Sequence, residues 1–162
     1  MRTAGARLRA PASAPRRPPS HTIAPMIDRL HDPLTAVQLL AVAMLAILFL
    51  QSGIDKVVDF GGNLAWLQGH FAKSPLRGQV KPMLVTVTLT EVAAGVISAV
   101  GAVQLAASGG KAWAIGGAQL AALNVVMLFL GQRVAKDYAG AASLVPYFGL
   151  CAGTLLVLTL PA

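Results

Sequence analysis

The chain has 162 residues, of which 56% are hydrophobic and only 12% are charged; this composition excludes an ordinary soluble domain and suits a single membrane bundle. The net charge is +7, but residues 1–25 alone carry five arginines and no acidic side chain. No aromatic or glycine-rich pattern interleaves these arginines, so the charge does not indicate nucleic-acid binding.

The first segment, residues 1–25, is rich in Arg, Pro, Ala and Ser and has no hydrophobic periodicity. Such a composition predicts a disordered basic tail. Met26 offers a second start, so an over-extended start is the alternative interpretation of this segment. Residues 26–162 then form the predicted transmembrane domain.

Four apolar stretches are each long enough to cross a bilayer, which takes about 20 residues of helix. Asp32 followed by Pro33 marks one helix entry, because Asp is a favoured N-cap and Pro fits the first turn; Pro82 marks another. The predicted spans are residues 34–53, 83–107, 112–130 and 139–160. The predicted fold is an all-α integral membrane four-helix bundle, with both chain ends on the same side of the membrane.

The connection between the first two spans has a pattern of its own. Phe60, Leu64, Leu67 and Phe71 follow one another at steps of four, three and four, which places them on one face of a helix. The pattern predicts an amphipathic helix that lies in the membrane interface. A cap packed over the end of the bundle is the alternative interpretation.

Glu91 is the only Asp, Glu, Lys, Arg or His within the four predicted spans. A charge near the middle of a span costs roughly 2.5–3.5 kcal/mol on insertion scales, so such residues are usually paired or functional. One hypothesis gives Glu91 a functional, proton-linked role and makes it the candidate catalytic group. The other makes it a structural carboxylate that is neutral or paired with Lys56 or Arg133.

A polar cluster is predicted on the membrane face nearest to Glu91, where the first and third spans end. Each member also has a simpler interpretation: Asn124 as an interhelical hydrogen-bonding group, the others as solvated link residues. The predicted cluster consists of Gln51, Asp55, Lys56, Asn124, Gln132, Arg133, Lys136, Asp137 and Tyr138.

The predicted location is the cell (inner) membrane, which the chain crosses several times. With residues 1–25 included, the side of the chain ends has seven Lys or Arg against six on the other side. Counted from Met26, the numbers become two and six. Because cytoplasmic loops are rich in Lys and Arg, the shorter form favours placing the links 51–82 and 131–138 in the cytoplasm.

Three short segments suggest a family. Residues 49–56 read FLQSGIDK, residues 91–95 read EVAAG, and residues 131–138 read GQRVAKDY. Together with four predicted spans, they resemble the DoxX-like membrane proteins over about residues 34–160. That family takes its name from the small subunit of a thiosulfate:quinone oxidoreductase. The resemblance implies a membrane subunit associated with redox complexes and oxidative-stress responses.

Two functional hypotheses follow. The first is an accessory subunit of a membrane redox complex that contacts a quinone and has no catalytic activity of its own. His21, His31 and His70 lie outside the spans and Cys151 is the only cysteine, so the bundle offers no haem, iron–sulfur or disulfide chemistry and no metal site. The second is a small proton-coupled transporter, or a lipid- or small-molecule-handling protein, centred on Glu91. The predicted partners are membrane lipid, another membrane or membrane-associated subunit, and a second copy of the chain.

Overall fold

The computed structural model describes residues 31–161; the predicted tail, residues 1–25, lies outside them. No strand is present in the described range. Its helices, in chain order, are α1 (Pro33–Val58), α2 (Phe60–His70), α3 (Val80–Ser108), α4 (Ala112–Val134), α5 (Tyr138–Ser143) and α6 (Val145–Thr159).

Four segments are long and apolar enough to cross a membrane. They are α1 with 26 residues, α3 with 29, α4 with 23, and α5 with α6, which together make a segment of 22 residues. Each exceeds the length of about 20 residues that a bilayer requires. The predicted all-α four-helix bundle is thereby confirmed, and its architecture is that of a multi-pass membrane protein.

The entry of α1 follows the predicted capping pattern. The Thr35 backbone N–H donates to Asp32 Oδ2 at 2.8 Å, and the Thr35 hydroxyl donates to the same oxygen at 2.7 Å. Pro33 occupies the first turn, where its missing N–H costs no hydrogen bond. These hydrogen bonds, the hydroxyl bond foremost, lower the pKa of Asp32, so the charged cap persists until the pH falls below the usual range for aspartate.

The first span continues beyond residue 53, where the sequence pattern placed its end. α1 reaches Val58, and Asp59 then serves two helices. Its backbone N–H donates to the Asp55 carbonyl at 3.0 Å, and its side chain accepts from the Gly62 N–H at 3.0 Å. Because one residue ends α1 and caps α2, the two helices follow each other without a loop.

The third span also ends later than residue 130. The Asp137 N–H donates to the Gln132 carbonyl at 2.9 Å, and the Lys136 N–H donates to the Arg133 carbonyl at 3.1 Å. This is the Schellman arrangement, which requires a left-handed residue just after the helix. Lys136 fills that position with φ 64°, although glycine would adopt it at lower energy.

The fourth span occupies the predicted residues, but it is made of two helices separated at Leu144. α5 ends at Ser143, and α6 starts at Val145. Pro146 lies in the first turn of α6 and has no N–H to donate to the preceding turn. The chain therefore turns at Leu144 and starts a new helix at Val145.

The helices pack as a ring in which α3 lies between α1 and α4, and α6 packs against α4 and α1. Small residues allow close contact: a Cβ on Gly95 would lie 2.7 Å from the Leu50 backbone N, and one on Gly117 would lie 2.7 Å from the Ser98 backbone N. The centre of the bundle is filled by Leu45, Phe49, Ala94, Ala118, Ala121, Val125 and Cys151.

At one end of the bundle, polar side chains satisfy the last carbonyls of α6. Gln38 Nε2 donates to the Val157 carbonyl at 2.6 Å, and Lys111 Nζ donates to the Leu160 carbonyl at 2.6 Å. Gln38 is completely buried, and the sequence pattern did not single it out. These polar groups complete a helix terminus, which is a structural role. The predicted polar cluster lies at the other end of the bundle.

The helix predicted between the first two spans is present as α2. On the predicted apolar face, Phe71 is buried and Phe60, Leu64 and Leu67 are half-buried, and α2 packs against α1 and α3. Trp66, which flanks this face, remains 63% exposed. α2 thus covers the end of the bundle with its apolar face; its position relative to a membrane surface stays a prediction.

Candidate functional site

A buried ion pair joins the first and second spans. Glu91, on α3, is 2% exposed, and Lys56, in the last turn of α1, has a side chain that is 20% exposed. Lys56 Nζ lies 2.8 Å from Glu91 Oε2 and donates to Oε1 at 3.1 Å. Of the two partners that the sequence left open for Glu91, the structure brings Lys56 to it.

Close packing of α1 against α3 makes the pair possible. A Cβ on Gly53 would lie 3.0 Å from the Val92 backbone N and 3.4 Å from the Cβ of Glu91. Ser52 then holds the ammonium in place, because Lys56 Nζ donates to the Ser52 hydroxyl at 2.8 Å and to its carbonyl at 3.3 Å. The segment 49–56 therefore supplies the cation, a residue that orients it and the glycine that admits it.

The location of the pair explains why it needs both members. Glu91 lies roughly 16 Å along the axis from the start of α3, at 1.5 Å per residue. A single charge at such a depth is costly, whereas a paired one is tolerated. Lys56 is the ion-pair partner of Glu91 within residues 31–161, and Glu91 Oε2 receives no well-oriented hydrogen bond there. The carboxylate is thus compensated in charge but incompletely satisfied by hydrogen bonds.

Glu91 forms part of the wall of a cavity of about 240 Å³, here called the Glu91 cavity. Its polar wall residues are Ser52, Glu91 and Tyr147. The remaining wall is apolar and consists of Leu48, Phe49, Val125, Leu128 and Leu144. An apolar cavity with a few polar groups is the usual form of a small-molecule site.

A smaller cavity of about 90 Å³ lies under α2, and Lys56 forms part of its wall. Leu67 and Phe71 contribute the α2 side of this cavity, and Gln132 contributes the α4 side. Leu128 belongs to the walls of both cavities. The ion pair therefore has one member in each cavity wall.

A second cluster of polar side chains, here called the His70 group, forms where α2 meets the link between α4 and α5. His70 Nε2 lies 2.9 Å from Gln132 Oε1 and 3.7 Å from Asp137 Oδ2, and the His70 ring stacks on Trp66 with centroids 5.0 Å apart. Asp137 also caps α5, accepting from the Gly140 N–H at 2.8 Å. The group fastens α2 to the start of the fourth span.

Other members of the predicted polar cluster do not meet Glu91. Arg133 lies over the Tyr138 ring, 4.6 Å from its centroid, while Gln51, Asp55 and Lys136 are exposed. The cluster therefore divides into the ion pair, the His70 group and solvent-facing residues.

Asn124 is completely buried and connects α4 to α3. Its Nδ2 donates to the Thr90 hydroxyl at 2.6 Å and to the Val87 carbonyl at 3.2 Å. Interhelical hydrogen bonds of this kind hold membrane helices together. The geometry favours the interhelical role over convergence with Glu91.

Sequence reasoning missed two residues of the site. Tyr147 lines the Glu91 cavity, but nothing in the local sequence distinguishes it from an interfacial tyrosine. Ser52 carried a detectable signal, since a hydroxyl four residues before Lys56 on one helix can reach it. Within residues 31–161, no His, Cys, Asp and Glu side chains are grouped as a metal site would need.

No family model, curated protein or solved structure matches this chain. The resemblance to DoxX-like proteins therefore stays a prediction from the three short segments.

Proposed function

We propose that this chain is a DoxX-like accessory subunit of a membrane redox complex and that it contacts a quinone beside the Lys56–Glu91 pair. The observation that carries the proposal is an ion pair buried between two membrane-spanning helices, with its carboxylate in the wall of an apolar cavity. Ionisable groups within spans mark functional pathways by default.

The chemistry of a quinone matches the Glu91 cavity. The apolar ring of a quinone suits the apolar part of the wall, and its carbonyl oxygens accept hydrogen bonds of the kind that the Ser52 and Tyr147 hydroxyls can donate. Reduction of a quinone takes up electrons and protons in equal number. Glu91 can hold one of these protons at its carboxylate, and Lys56 stabilises that carboxylate once the proton has left; water supplies the other proton.

We assign the electrons to a partner protein. The one cysteine and the histidines outside the spans leave the bundle without side chains for a haem or an iron–sulfur cluster. In this proposal the chain contributes a quinone position and a proton site, and it has no catalytic activity on its own. Counted from Met26, the distribution of Lys and Arg supports placing the 51–82 and 131–138 links on the cytoplasmic side of the inner membrane.

A second candidate function is proton-coupled transport or small-molecule handling at Glu91. The observation that favours it is the position of the ion pair between two cavities, with Glu91 in one wall and Lys56 in the other. A proton or small ligand that passes between the cavities would have to separate the pair. Such a separation is the expected coupling step of a carrier.

The test is purification from the native membrane in mild detergent, followed by mass spectrometry of copurified proteins and extraction of bound quinone. The wild type is compared with Glu91→Gln and with the control Asp55→Asn, which makes the matching change on an exposed carboxylate. We expect the wild type and the control to retain quinone and a partner subunit. Glu91→Gln should remain folded and lose the quinone.

A wild-type protein that purifies alone and without quinone would overturn the redox proposal. Uptake assays in vesicles with an imposed pH gradient would then test the transport candidate. Retention of quinone and full partner-dependent turnover by Glu91→Gln would show that this carboxylate is not the proton site.

A further inference from the structure

The Glu91 cavity adjoins a second cavity of about 260 Å³ between α4 and the start of α6. Val125 and Leu144 belong to the walls of both. We call the second cavity the chain groove; its remaining wall residues are Val126, Phe129, Val145 and Phe148. The Glu91 cavity measures about 240 Å³ and the chain groove about 260 Å³. A ligand with one part in each would occupy a site of the size, roughly 300–1,000 Å³, that small-molecule sites have.

The chain groove differs from the Glu91 cavity in its chemistry. All of its wall residues are apolar. Val126 is 47% exposed and Phe148 is 45% exposed, so its outer rim lies on a surface of the spanning helices that faces lipid in a bilayer. The Glu91 cavity thus has polar groups in its wall, whereas the chain groove is apolar and lies at the lipid-facing surface.

The break in the fourth span lies where the two cavities meet. Leu144, between α5 and α6, is one of the two shared wall residues. Non-helical backbone at membrane depth is tolerated where it lines a cavity or is covered by protein. The interruption that Pro146 imposes is therefore located in the wall that the polar and the apolar space share.

The charges around the polar end select against an anionic headgroup. Glu91 lines the cavity that adjoins the groove, whereas Lys56 lines the other cavity, under α2. A phosphate or carboxylate placed in the Glu91 cavity would face a carboxylate before it met the ammonium. An uncharged oxygen-bearing group would meet the Ser52 and Tyr147 hydroxyls without this repulsion.

We infer that the ligand of this site is an uncharged amphiphile, with an oxygen-bearing ring in the Glu91 cavity and a hydrocarbon chain in the chain groove. The inference rests on the proposed function and names the part of the quinone that the groove would bind. It makes Val126 and Phe129 determinants of chain binding and Leu144 the boundary between ring and chain.

The experiment uses the purified full-length chain and a benzoquinone whose decyl chain ends in a photoreactive diazirine. Labelled residues are identified by mass spectrometry. A phospholipid with the same diazirine on an acyl chain serves as the second probe, and binding of methyl-substituted benzoquinone is measured by dialysis. Val126→Phe fills the groove; Val100→Phe is the matched control, because Val100 is 45% exposed and lines neither cavity.

We expect the quinone probe to label Val126, Phe129 and Phe148 in the wild type and in Val100→Phe, and to lose most of this label in Val126→Phe. Equal labelling by the phospholipid probe would show that bulk lipid occupies the groove and would overturn the inference. So would a tailed quinone that binds but labels lipid-facing residues without preference. If neither quinone binds the wild type, the proposed function itself fails, and the inference falls with it.

Discussion

At the residue scale, the behaviour of Glu91 depends on how unequally the two members of its ion pair are buried. Glu91 is almost fully buried, whereas Lys56 is partly exposed and keeps two hydrogen bonds to Ser52. Removal of one member of a buried pair leaves the other uncompensated, which costs more than removal of both. The two single substitutions should therefore have different costs.

Glu91→Gln should lower the free energy of unfolding by about 1–3 kcal/mol, because the stranded ammonium retains its Ser52 partners. Lys56→Gln should cost about 3–5 kcal/mol, because it strands the more deeply buried charge. The double substitution should recover part of the larger loss. Thermal unfolding of the purified variants in detergent measures all three.

Arg133→Gln is the control for this comparison, since Arg133 lies over Tyr138. Its effect should add to that of Glu91→Gln without coupling, as expected for groups that share no partner. A coupling between Arg133 and Glu91 as large as that of Lys56 would contradict the pairing described above.

At the element scale, the helices use their small residues in two ways. Gly95 admits the backbone of α1 at Leu50, whereas an added Cβ on Gly149 or Gly153 in α6 would meet nothing within 4 Å. The sequence presents all three as small residues at helical spacing, a pattern common at membrane helix interfaces. The first belongs to an interface inside the bundle, and the other two lie on an open face.

The same substitution should therefore have opposite effects at two glycines. Gly95→Ala should destabilise the bundle by about 1–3 kcal/mol, since its methyl group would have to push α1 away. Gly149→Ala should be neutral or stabilising by up to about 1 kcal/mol, because alanine is the better helix former. Thermal unfolding of each variant provides the measurement. Destabilisation by Gly149→Ala would mean that another protein surface packs against α6.

At the scale of the whole molecule, the number of spans determines which ends of the helices share a side. Lys111, between α3 and α4, contacts the end of α6 through the Leu160 carbonyl at 2.6 Å. Lys73 follows α2, which packs at the opposite end of α1 and α3. The chain ends and the α3–α4 turn should therefore face one compartment, and the α2–α3 connection the other.

Single cysteines introduced by His31→Cys, Lys111→Cys and Lys73→Cys, in a Cys151→Ser background, test this arrangement. A membrane-impermeant thiol reagent applied to oriented vesicles should label the first two from the same side and the third from the other. Labelling of His31→Cys and Lys111→Cys from opposite sides would contradict the four-span topology. The absolute side of labelling would also decide the orientation that the Lys and Arg count favours.

The sequence by itself determined the span number, the all-α class and the presence of a lone intramembrane charge at Glu91, because apolar length and an isolated charge are local properties. It also determined the entry of α1, since Asp32 and Pro33 act within one turn. It placed the ends of α1 and α4 too early, because the predicted spans ended where the apolar residues ended. Polar residues such as Lys56 and Gln132 can continue a helix past that point when their side chains find partners there.

Only the tertiary structure decided which cation meets Glu91, since Lys56 and Arg133 are equally available by spacing and both α1 and α4, which carry them, pack against α3. It also decided that Asn124 bonds Thr90, that Tyr147 joins the Glu91 cavity, and that the break at Leu144 lies beside it. Each of these depends on how one helix is rotated and placed against another. Helix–helix distance and rotation arise from close contacts such as Gly95 on Leu50, which no single segment encodes.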